Sequence, residues 1–180
     1  MALVLLTSEN YIKSNLPISD NLSGKYLQSA IREAQEIGLR GILGSCLLNK
    51  LKNLVDKKEI DKEENAIYKE LVSKCQDYLA YMSVVEVINR TSYKIGNFGL
   101  AKSSDENLQV VTEDEIAKQK FYYQGKADAY CYALQSWLLD NKKDLPELDD
   151  CSCGRIKSQL HSAATCGFFL GGARGKRRVK

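Results

Sequence analysis

The sequence holds a single histidine, His161, in 180 residues. Nucleophilic and general-base chemistry most often leans on an imidazole, so only one position is open to it. A Cys–His pair is the one nucleophilic option left, and nothing in the sequence orients such a pair. Prolines number two and glycines twelve. An all-β sandwich needs turns at short intervals, and this chain cannot supply them. No apolar run approaches the roughly 20 residues that cross a bilayer as a helix, which excludes an integral helical membrane protein. There is neither a Gly-x4-Gly-Lys-Ser/Thr loop nor a Rossmann fingerprint. Gly171-Gly172-Ala173-Arg174-Gly175-Lys176 has a phosphate-loop composition, but it follows no clear strand and opens no helix. The acidic pairs Glu63-Glu64, Asp114-Glu115 and Asp149-Asp150 read as solvated charge or as complements to helix dipoles. The expectation is a chain with no catalytic residue, no cofactor site and no enzymatic activity.

What is present is an ordinary globular composition, 44% hydrophobic and 27% charged, which excludes a mostly disordered chain. The net charge of +3 misleads. Arg174, Lys176, Arg177, Arg178 and Lys180 crowd the last seven residues; without these five, the 26 cations fall to 21 against 23 acids. The body is slightly acidic, unlike a nucleic-acid-binding domain with a basic face. The opening Met-Ala-Leu-Val-Leu-Leu-Thr has an apolar run of five residues and no preceding cation. That is too little for a signal peptide, so a cytosolic product with reduced thiols is expected. Cys46, Cys75 and Cys131 are expected as small core residues on inner helix faces.

Periodicity predicts a mainly all-α fold. Thr7 and Ser8 offer caps for a short helix over about 8–15, ended before Pro17. Ser23 is a cap for a second helix, with Leu22 and Leu27 as a hydrophobic staple. Tyr26, Leu27, Ala30, Ile31, Ala34 and Ile37 form its inner stripe, and it is expected to end near Gly38 to Gly41. A third helix follows, with Cys46, Leu47, Leu48, Leu51, Leu54 and Val55 inward. Two long helices dominate the rest. One, over about 62–90, carries Ile67, Leu71, Cys75, Tyr78, Met82 and Val85 on one stripe. The other opens on a Thr112/Glu115 capping box, runs to about Asn141 and carries Ile116, Tyr123, Ala127, Tyr130, Leu134 and Trp137 or Leu138. Between them, residues 93–100 read as two short β-runs about a Gly-Asn turn, giving two antiparallel helices joined by a small hairpin-like projection. Tyr78, Tyr81, Tyr122, Tyr123, Tyr130 and Tyr132 stud more than one face, more than a helix hairpin buries alone, and tyrosine is enriched at interfaces. The division expected is a helical domain over 1–148 and a C-terminal extension over 149–180.

In that extension, Cys151, Cys153, His161 and Cys166 are zinc-ligand types. Their spacing, Cys-x-Cys and His-x4-Cys, is not that of a zinc knuckle, and no metal is assigned. Phe168, Phe169 and Leu170 precede the cations Arg174, Lys176, Arg177, Arg178 and Lys180. Three readings of this tail stay open: a solubilising end, an anchor docking on an acidic partner surface, or a contact to DNA phosphates. An apolar anchor followed by cations fits a partner groove better than loose DNA contact.

The order of Leu6-Thr7-Ser8-Glu9-Asn10-Tyr11-Ile12, Pro17-Ile18-Ser19, Ala34-Gln35-Glu36-Ile37-Gly38-Leu39 and Ile42-Leu43-Gly44 forms a pattern. It continues through Leu79-Ala80-Tyr81-Met82, Lys94-Ile95-Gly96-Asn97-Phe98-Gly99-Leu100 and Ser103-Ser104-Asp105-Glu106-Asn107. Over about residues 3–148 it resembles the head-to-tail connector, or adaptor, proteins of crAss-like and other Bacteroides tailed phages; from about Cys151 the chain departs from it. The resemblance implies a structural virion protein at the neck, a helical subunit of a ring, dodecameric to match the portal. Its partners would be copies of itself, the portal protein, neighbouring tail proteins and genomic DNA passing the lumen without sequence-specific contact, with no membrane. It also implies portal docking by about residues 167–180, through Phe168, Phe169, Leu170 and the five cations. The alternative from a different class is a small nucleic-acid-binding protein that uses the basic tail.

Overall fold

The structure, a computed structural model, describes residues 3–96, 99–102 and 112–150. It is mainly α-helical. In chain order come α1 (Glu9–Asn15), α2 (Gly24–Glu33), a π-helical turn (Ala34–Leu39) and α3 (Arg40–Asp56). A 3-10 turn (Glu63–Asn65) then leads into the long α4 (Ala66–Ser92). The strands β1 (Tyr93–Gly96) and β2 (Gly99–Lys102) pair antiparallel, Tyr93 opposite Lys102 and Gly96 opposite Gly99. The long α5 (Glu113–Asp140), a 3-10 turn (Lys142–Asp144) and the short α6 (Glu147–Asp150) complete the described chain. Two four-residue strands add no layer, and the class is all-α.

α4 is the centre of the molecule. Leu71, Cys75, Tyr78, Leu79, Ala80, Val84, Val85 and Val87 are all buried; Leu71, Cys75, Tyr78 and Leu79 share one arc, and Ala80, Val84 and Val87 add the far side in the second half, while Lys69, Glu70 and Ser73 of the first half stay exposed. Around its first half, Leu39, Leu43, Leu47, Leu48 and Leu51 pack with Leu71, Cys75 and Leu79, joined by Leu134 and Leu138 of α5 and by Leu145 and Leu148. Around its second half, Ile12, Leu16, Leu27, Ala30 and Ile31 of α1 and α2 pack with Ala80, Val84 and Val87. α5 runs antiparallel to α4: Trp137 Nε1 donates to Glu70 Oε1 at 2.8 Å, whereas Tyr81 stacks on Tyr130 with ring centroids 5.2 Å apart.

The helix starts follow from local chemistry. Ser8 Oγ accepts the Tyr11 amide and caps α1. At α5, Thr112 Oγ1 accepts the Glu115 amide while Glu115 Oε2 accepts the Thr112 amide, a complete capping box. Ser23 occupies the N-cap of α2 without a side-chain hydrogen bond; Leu22 packs against the cluster that holds Leu27.

The largest correction concerns residues 34–44. The expected end near Gly38 to Gly41 does not occur: the chain stays helical through a π turn, and the break comes at Gly44 (φ 78°, ψ 166°). A π turn inserts a residue into the helical count and rotates the downstream side chains by about one position. Gln35 and Leu39 turn inward as a result, and Ile37, expected on the inner stripe, points out at 75% exposure. Tyr26, also expected inward, is exposed. Cys46 is exposed as well. It precedes Leu47 by one residue, about 100° around the helix, outside the arc that Leu47, Leu48, Leu51 and Leu54 bury. Cys75 and Cys131 are buried as expected.

Candidate interaction surface

The π turn is held by polar contacts that also fix the N-terminal segment. Gln35 is fully buried. Its Oε1 accepts the Leu6 amide at 2.9 Å and its Nε2 donates to the Val4 carbonyl at 3.0 Å. Gln76 Nε2 donates to the Leu6 carbonyl at 2.9 Å. Two side-chain amides thus give residues 4–6 the backbone pairing that a neighbouring strand would otherwise provide. Gln35 carried no separate weight in the sequence. The signal that could have found it is the spacing of four through Leu27, Ile31, Gln35, Leu39 and Leu43, an apolar series with one amide in it.

Glu36 accepts from both Arg40 and Lys52. In a straight helix, residues 36 and 52 would stand about 24 Å apart, so the Gly44 break folds the second half of α3 back until Lys52 reaches Glu36. Burial works against the charge on this carboxyl. Hydrogen bonds from Lys52, Arg40 and Gln35, with the charge of Lys52, outweigh it and hold the pKa at about 2. Gly38 allows the turn its close approach to α4, where a Cβ at this position would run into the Tyr78 hydroxyl.

Two tyrosines tie the periphery to the centre. Tyr11 Oη donates to Asp77 at 2.8 Å, and burial followed by that acceptor pushes the phenol up to about 12. Tyr68 Oη donates to both oxygens of Glu147 at 3.0 Å, and burial with this carboxylate likewise raises it to about 12. Burial also raises Tyr123 and Tyr130. These phenols are therefore neutral hydrogen-bonding and packing groups.

The remaining apolar surface lies outside. Phe121 is 76% exposed, and Tyr122, Tyr132 and Leu139 are about half exposed. At about 100° per residue, Phe121, Tyr132 and Leu139 fall within about 20° of one another on α5. They form an outward row some 27 Å long, about 120° around the helix from the inward Ala127, Cys131, Leu134 and Leu138. Tyr122 lies at its edge, with Lys126 Nζ 5.8 Å from its ring centroid. Tyr26 on α2, Ile37 on the π turn and Leu3 in the N-terminal segment are exposed as well. So of the six tyrosines expected to exceed one face, Tyr78 is buried, Tyr81, Tyr123 and Tyr130 are half-buried between helices, and Tyr122 and Tyr132 face out.

Among the described residues no group of three or more His, Cys, Asp or Glu side chains is arranged to hold a metal ion. No described helix is long and apolar enough to cross a membrane. Cys151, Cys153, His161 and Cys166 lie outside the described residues, as do Phe168, Phe169, Leu170, Arg174, Lys176, Arg177, Arg178 and Lys180.

A family model described as a family of unknown function, DUF6712, matches residues 39–158, two thirds of the chain. The chain belongs to the DUF6712 family. No curated protein and no solved structure matches it. The DUF6712 match opens at Leu39, the last residue of the π turn, and takes in α3, α4, the strand pair, α5 and α6. The outward stripe on α5 lies inside the matched region, and Ile37 stands two residues before it.

Proposed function

We propose that this chain is a structural virion protein: a subunit of the connector ring between the head and tail of a tailed phage, docking beneath the portal and performing no bond-making chemistry. The order of motifs over residues 3–148 supports this reading through its resemblance to connector proteins. The observation that carries it is large apolar side chains left exposed on different elements, Phe121, Tyr122, Tyr132 and Leu139 on α5, Tyr26 on α2 and Ile37 on the π turn. A subunit of a closed ring makes heterologous contacts and needs two different adhesive faces. The slightly acidic body agrees with a lumen along which DNA slides. In this reading Phe168, Phe169 and Leu170 anchor in the portal, and the cations of residues 174–180 meet its acidic surface.

The test is the composition of particles. Mass spectrometry of purified mature virions should find the chain at the stoichiometry of the portal, and micrographs should place it at the neck. Virions that lack it would remove the reading.

A further inference from the structure

We draw no further inference here: the strongest candidate, the exposed apolar surface of α5 around Phe121, Tyr122 and Leu139, carries nothing because nothing in the structure shows what covers it.

Discussion

Gly44 sits at φ 78°, ψ 166°, a region that is essentially glycine-only and costs other residues about 1–3 kcal/mol. It is buried, between Leu43 and the helix that folds back beyond it. Gly44→Ala should therefore lower the unfolding free energy by about 2–3 kcal/mol, read from the midpoint of urea denaturation at unchanged slope. Glu36 makes a second prediction in the same region. Its carboxyl titrates at about 2 in the folded chain, against 4.5 ordinarily. A depressed folded pKa means that the unfolded chain binds the proton more readily between those values. The stabilisation is whole above about pH 4.5 and is lost as pH falls toward 2. The wild type should lose stability across that window more steeply than Glu36→Gln, whose amide does not titrate; parallel curves would show that the Arg40 and Lys52 contacts carry no net stabilisation.

At the scale of elements, the π turn decides more than any regular helix. It turns Gln35 inward, where the side-chain amide satisfies Leu6 N–H and the Val4 carbonyl. Gln35→Leu fills the space but strands both backbone groups, each worth about 1–3 kcal/mol when buried without a partner. The variant should lose about 2–4 kcal/mol, and amide exchange at Leu6 should accelerate before exchange in α4 does. α4 and α5 were legible in the sequence because 27 and 28 residues of sustained period leave little ambiguity, and because Thr112 and Glu115 mark a start by themselves. The stretch 34–46 was not legible. A 3.6-residue template carries its phase straight through a one-residue insertion, so it placed Ile37 inside and passed over Gln35, and it assigned the break to Gly38 and Gly41 when Gly44 takes it. Cys46 was misplaced for a related reason, since hydrophobicity gives a residue a preference and not a direction. The outward stripe on α5 escaped notice in the same way: Phe121 and Leu139 are apolar, and only burial shows that they stand on the far side from Leu134.

For the whole molecule, the described fold ends its core at Leu145 and Leu148, and five cations stand in the last seven residues of the sequence. Of the three readings of that tail, the two that give it a binding partner differ in a measurable exponent. If the five cations neutralise five DNA phosphates, the affinity for duplex DNA should fall with salt at a log–log slope of about −4.5, and removing residues 173–180 should abolish both slope and binding. If they dock on the portal, the truncated chain should keep the thermal midpoint of the full chain, because no described core residue lies beyond Leu148. It should also lose co-sedimentation with purified portal rings while duplex DNA binding stays negligible before and after. A truncated chain that still binds portal rings would move the docking surface onto the body itself, and the exposed α5 side chains Phe121 and Tyr122, the latter beside Lys126, would be the first positions to substitute.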